Sequence, residues 1–151
     1  MRRHEALIPL THDHHHALVQ VRKLKSAAKG SEDVRRATAE RFIGFFFEET
    51  LNHFHEEERV IGPLVAYEDE IRVTWERLLQ EHVLIHALVL GLQRENDQGV
   101  ASADTLRELA TTLQRHIRLE EKVLFPLIQT VVDDAALQEI ALRPRHRARA
   151  S

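Results

Sequence analysis

Along four separate stretches of this chain, apolar residues recur at steps of three and four. That spacing lines one face of an α-helix and fits no strand. From about residue 10 to 29 the stripe is Leu10, His14, Ala17, Leu18, Val21, Leu24 and Ala28, and Gly30-Ser31 ends it. Ser31 or Asp33 is placed to cap the next helix. The second stretch, about 33 to 61, carries Ala39, Phe42, Ile43, Phe46, Thr50, His53, Glu57, Val60, Ile61 and Leu64, and Gly62-Pro63 interrupts it. The third, about 68 to 97, carries Trp75, Leu78, Leu79, His82, His86, Val89 and Gln93, and residues 96–99 stop it. Ser102 or Asp104 opens the fourth, whose stripe is Leu106, Leu109, Ala110, Leu113, His116, Ile117, Glu120, Leu124, Leu127 and Ile128.

Strand-like alternation is missing, and 5 Gly with 4 Pro are too few for a sheet protein full of tight turns. Long amphipathic helices with short connections predict an all-α, antiparallel up-down-up-down four-helix bundle, with a short fifth helix at about 134–142. A length of 151 residues suits one domain. Residues 1–142 are expected to form the bundle and 143–151 a basic, flexible, solvated tail. The net charge of −3 gives no field for nucleic acid. No uncharged apolar run reaches the ~18 residues a membrane span needs. The opening MRRHEALIPLTHDHHH lacks the apolar segment of a secretory signal, so a cytoplasmic protein is expected.

The second and fourth stretches contain versions of one motif. His53-Phe-His-Glu-Glu-Glu-Arg-Val-Ile-Gly-Pro-Leu-Val65 aligns with His116-Ile-Arg-Leu-Glu-Glu-Lys-Val-Leu-Phe-Pro-Leu-Ile128. His53 pairs with His116, Glu57 with Glu120, Glu58 with Glu121 and Pro63 with Pro126. A looser echo relates Asp13-His-His-His-Ala-Leu-Val19 to Glu81-His82 and His86-Ala-Leu-Val89. Two copies of a helical hairpin give the bundle a pseudo-two-fold axis, and a site on that axis receives matching residues from both halves.

Angular position sorts the 11 histidines. At about 100° per residue, His14 lies near 40° from Leu10, while His15, His12 and His16 lie near 140°, 200° and 240°. His53 and Glu57 share the side of Phe46 and Ile61, and His55 points almost opposite. His82 and His86 stack four residues apart within the third stripe. His116 and Glu120 follow the fourth stripe, with Glu121 on its flank. Five imidazoles, His14, His53, His82, His86 and His116, thus aim inward with two carboxylates, Glu57 and Glu120. His4, His12, His15, His16, His55 and His146 fall elsewhere.

Buried imidazoles and carboxylates are costly unless paired or bound to a metal. With no cysteine, disulfides and thiolate sites are excluded, so nitrogen and oxygen must supply any metal shell. Seven ligands are too many for one ion and suit two, with the glutamates bridging. Two octahedral ions need about 12 positions; these side chains fill about 9 and an oxo or hydroxo bridge two more, leaving about one open. Nitrogen-rich mixed ligation suits iron better than magnesium or calcium, whereas a structural zinc site would be closed at four ligands.

The set His14, His53-x-x-x-Glu57, His82-x-x-x-His86 and His116-x-x-x-Glu120 resembles the hemerythrin-like, or HHE cation-binding, domain over about residues 8–130. The resemblance implies a non-haem di-iron centre, with His82, His86 and His116 on one iron, His14 and His53 on the other, and Glu57 and Glu120 bridging. It also implies a small diatomic ligand such as oxygen. The oxygen-carrying members place an aspartate five residues after the last histidine; here that position is Glu121 and the fourth is Glu120. Either can bridge if a local π-bulge turns Glu121 inward, though the repeat with Glu57 favours Glu120. His12 and His16 are rivals to His14 under another helix register.

Two functional classes follow. One is a binding or sensing module for oxygen or a related small molecule, and non-enzymatic. The other is a di-iron enzyme acting on peroxide, nitric oxide or ferrous iron. Phosphate loops and nucleophile motifs are missing. Residues 4–9 or the fifth helix could dock a second copy as a homodimer.

Overall fold

The computed structural model describes residues 2–144, and every regular element among them is helical. Helix α1 spans Ile8–Ala28. Helix α2 runs in three parts, Glu32–Phe45, a π-helical turn Phe46–Thr50 and Leu51–Ile61, and tightens into a 3₁₀ turn at Gly62–Ala66. Helix α3 is Asp69–Asp97. Helix α4 comprises Ala103–Leu119, a second π-helical turn Glu120–Leu124 and Phe125–Val131. The short α5, Asp134–Ala141, is the fifth helix that the sequence leaves room for. Beyond residue 144 the basic tail, with His146, lies outside the described residues.

Local chemistry sets the boundaries. The Ser31 hydroxyl caps α2 by accepting from the Val34 N–H, and Ser102 caps α4 by accepting from Thr105. Asp33 and Asp104, the other cap candidates, sit instead in the first turns, where a carboxylate complements the helix dipole. Gly99, at φ +80°, supplies the left-handed residue after α3 that a side chain would strain.

Among the four long helices, α1 and α3 both touch α2 and α4, α2 and α4 meet more slightly, and α1 lies most extensively along α4. The apolar core divides into two clusters. One contains Val21, Leu24, Phe42, Phe46, Val89, Leu92, Leu106 and Leu113. The other contains Leu7, Leu10, Ile61, Trp75, Leu78, Leu124, Phe125 and Ile128, and α5 adds Leu137. Along α1 and α3 the chain passes from the second cluster to the first, and along α2 and α4 from the first to the second. Between them, each of the four long helices contributes buried polar residues: His14; His53 and Glu57; His82; His116 and Glu120.

The apolar clusters are what turn these residues inward. In α1, Leu10, Val21 and Leu24 are buried on the face that carries His14. At about 1.5–3 kcal/mol per large apolar side chain, their burial outweighs the ~1–3 kcal/mol cost of one imperfectly satisfied imidazole. Among the described residues, no helix is long and apolar enough to cross a membrane.

Candidate metal centre

Within the polar layer the ligand-type atoms form two groups that share one residue. The first holds His14, His53, Glu57 and Glu120, the second Glu57, His82 and His116; within each group the atoms lie inside 4.8 Å of one another. Glu57 is fully buried and divides its two oxygens between the groups. Its Oε1 touches His53 Nε2 and lies 3.7 Å from His14 Nε2. Its Oε2 accepts from His82 Nε2 at 2.7 Å and lies 3.7 Å from His116 Nε2. Glu120 Oε1 also looks both ways, 2.8 Å from His116 Nε2 and 3.7 Å from His14 Nε2.

The outer nitrogens of the rings are held by a second set of carboxylates. His53 Nδ1 donates to Asp13 at 2.9 Å, His14 Nδ1 to Glu121 at 2.7 Å and His116 Nδ1 to Glu81 at 3.0 Å. A proton fixed on Nδ1 leaves the Nε2 lone pair for a cation, the arrangement that orients metal-binding histidines. Each link crosses between neighbouring helices, from α1 to α2, from α4 to α1 and from α3 to α4. His82 is held differently: Phe54 stacks on its ring at 3.8 Å and Trp75 meets it edge-on at 5.9 Å. Its Nδ1 is buried without a hydrogen-bond partner, and Glu58 stands 3.9 Å away.

Electrostatics tie the layer together. Burial alone would lower the pKa of His53, but the Glu57 and Asp13 carboxylates outweigh it and raise it to about 9. His14 and His116 are likewise raised well above the usual imidazole range, against burial, by Glu120, Glu57 and their own outer carboxylates. Burial would raise Glu57; the surrounding imidazoles hold it well below the carboxylate range. Glu121 falls to about 2, because His14, Thr11 and Arg3 override its partial burial. The layer thus balances its carboxylates with protons on imidazoles, and a bound cation can replace those protons.

The residues present fit such a cation. Nε2 of His14, His53 and His116, Oε1 of Glu57 and both oxygens of Glu120 are buried and lack hydrogen-bond partners. The contacts between His53 and Glu57 and between His116 and Glu120 are close yet not oriented as hydrogen bonds. Lone pairs aimed at a common point, rather than at each other, produce this pattern. An orphaned buried polar atom costs about 1–3 kcal/mol, so several together call for a shared partner.

Six of the seven residues singled out from the sequence meet in this layer. The seventh, His86, does not: its half-buried ring stands edge-on to Phe46 and Phe47, at 5.3 and 6.3 Å, along an open groove between α2 and α3. In α1 it is His14 that is buried, whereas His12 and His16 are exposed and contact each other. A π-helical turn does occur at Glu120–Leu124, but it leaves Glu120 facing the layer and Glu121 on the outer nitrogen of His14. Angular reasoning missed the roles of Asp13, Glu81 and Glu121. Their signal is adjacency: each stands beside a layer residue in sequence and holds a histidine on the next helix.

Bundle and polar layer together define a helical cation-binding protein. The model of the Hemerythrin HHE cation binding domain matches residues 6–128, and the chain belongs to that family. The matched span contains every residue of both groups. No curated protein and no solved structure gives a match.

Proposed function

We propose that the protein holds two iron ions and uses them to bind or sense dioxygen or a related small molecule. In this reading the bundle is antiparallel, up-down-up-down, as the alternating order of the two apolar clusters along α1 to α4 supports. His14 and His53 bind one ion. His82 and His116 bind the other, joined by His86 once its ring turns from the groove into the layer. Glu57 and Glu120 bridge. The observation that carries the reading is the division of the Glu57 oxygens between two imidazole groups, which a single-ion site does not require. The nitrogen-rich donor set favours iron over magnesium or calcium. Iron here would supply a redox-active centre with a position open to a diatomic ligand.

The chain's own residues have three tasks. The outer carboxylates fix ring orientation, the imidazole Nε2 atoms present lone pairs, and the apolar clusters above and below exclude water. Anaerobic loading with ferrous iron followed by elemental analysis is expected to give about two ions per chain; absence of bound iron overturns the reading. Stopped-flow spectroscopy with dioxygen then separates its forms. A spectrum that reverses on deoxygenation supports binding or sensing. Rapid irreversible oxidation, or turnover of peroxide or nitric oxide, supports an enzyme.

A further inference from the structure

Beside the polar layer lies a cavity of about 20 Å³, room for roughly one to two water-sized molecules, partly open to solvent past the exposed His16 and Glu49. His14, His53 and His116 line one side, and Phe45, Phe54 and Leu113 are among its apolar walls. Thr50 also lines it. Thr50 is only 5 % exposed, and its hydroxyl is buried without a hydrogen-bond partner. The other buried polar groups of the wall are committed. The outer nitrogens of the three histidines donate to carboxylates, and their Nε2 atoms belong to the ligand groups.

The backbone places this hydroxyl deliberately. Thr50 ends the π-helical turn Phe46–Thr50, in which Phe46 and Thr50 are buried and the three residues between them are exposed. The turn delivers Thr50 three residues before His53, one helical turn away on the same face, about 5–6 Å between Cβ atoms. Inserted π turns gather at functional sites because they re-aim side chains that a regular helix would leave elsewhere. A threonine in a regular helix can satisfy its hydroxyl on the preceding turn's carbonyl; here it does not.

We propose that the Thr50 hydroxyl is the hydrogen-bond donor that positions and selects the ligand of the centre. Its ligand is a molecule of two or three atoms, neutral or anionic, bound end-on beside His14 and His53 with an acceptor atom at its far end. This rests on the reading of the layer as a metal centre. The small volume rejects larger ligands, and Thr50 discriminates among the small ones by the acceptor strength of the distal atom. With Phe45, Phe54 and Leu113 around it, a hydrogen bond here meets less competition from water than one at the surface.

The test compares Thr50→Val, which keeps the shape, with Thr50→Ser, which keeps the hydroxyl. The probe is azide, a linear triatomic anion with an acceptor at its far end. In the iron-loaded protein, Thr50→Val is expected to weaken azide binding by about tenfold and to shift the azide infrared stretch, while Thr50→Ser restores both. Iron content stays at the wild-type value in both variants. Without metal, Thr50→Val is expected to unfold at the same temperature as wild type or higher, because it removes a hydroxyl with no partner. An azide affinity unchanged in Thr50→Val overturns the proposal. So does a loss that Thr50→Ser does not rescue, or a destabilised metal-free Thr50→Val, which would mean the hydroxyl serves the fold. If wild-type protein takes up no iron, this proposal and the metal reading fall together; equal azide affinity in iron-loaded wild type and Thr50→Val removes this proposal alone.

Discussion

The two sides of the polar layer are related by the internal repeat but are not equally finished. On the side of His14 and His53, both rings have their outer nitrogens fixed by carboxylates at 2.7 and 2.9 Å, and four residues supply ligand atoms. On the side of His82 and His116, only His116 is fixed in this way, by Glu81. Three residues supply ligand atoms there, His86 stands away in the groove, and His82 is gripped by aromatic faces instead. The repeat makes Glu58 the counterpart of Glu121 and His82 the counterpart of His14. The link Glu121–His14 is closed at 2.7 Å, and its counterpart Glu58–His82 is open at 3.9 Å. One side is therefore preorganised for a cation, and the other must rearrange to bind one.

The largest effect is expected where the two sides meet. Glu57→Ala removes an oxygen from each and leaves His53 and His82 without their nearest carboxylate, so iron content falls from about two ions per chain to near none. Elemental analysis of the anaerobically loaded variant checks this; retention of one ion would mean that Glu57 serves one side only.

Next come variants that separate the sides. His14→Ala is expected to lose the ion of the preorganised side, and His86→Ala the other, each leaving about one ion per chain. Titration with ferrous iron should resolve two steps in the wild type, the His14 side filling first. Wild-type stoichiometry in His86→Ala would show that this ring stays among Phe46 and Phe47 and takes no part. Smaller again is the loss from the outer carboxylates. Asp13→Asn or Glu121→Gln is expected to weaken the first step by about 10- to 100-fold, and Glu81→Gln the second step by as much.

These residues also mark how far the sequence could be read. His14, His53, Glu57, His82, His116 and Glu120 were legible because each sits on an apolar stripe whose burial is decided by many neighbours at once. His86 sits on the same stripe, one turn from His82, yet faces Phe46 and Phe47 of α2. Stripe arithmetic gives a direction from the helix axis and not what occupies it on the facing helix. The π-helical turns at Phe46–Thr50 and Glu120–Leu124 break the regular 100° step, yet Phe46, Thr50, Glu120 and Leu124, which bound them and lie on the stripes, are all buried; the turns themselves are what the stripes do not report. The histidine-holding roles of Asp13, Glu81 and Glu121, the last weighed only as a bridge, stayed hidden because their partners lie 40, 35 and 107 residues away. No periodicity within one helix reports such a link; only the packed helices do.

The smallest effect is expected from Glu58→Gln, and it bears hardest on the comparison. The carboxylate is half-exposed and 3.9 Å from His82 Nδ1, too far for a hydrogen bond and open to solvent screening. On that geometry the substitution changes the second iron-binding step by less than about threefold, well below the loss from Glu121→Gln. His82 Nδ1 is buried and unpaired, however, so any movement that brings His82 and His86 onto a cation also brings an incentive to close the last link. A loss as large as that of Glu121→Gln would show that loading completes a ring of four carboxylate–histidine links, one between each neighbouring pair of helices. The two sides would then hold their ions through matching contacts, with Glu58 to His82 as the counterpart of Glu121 to His14.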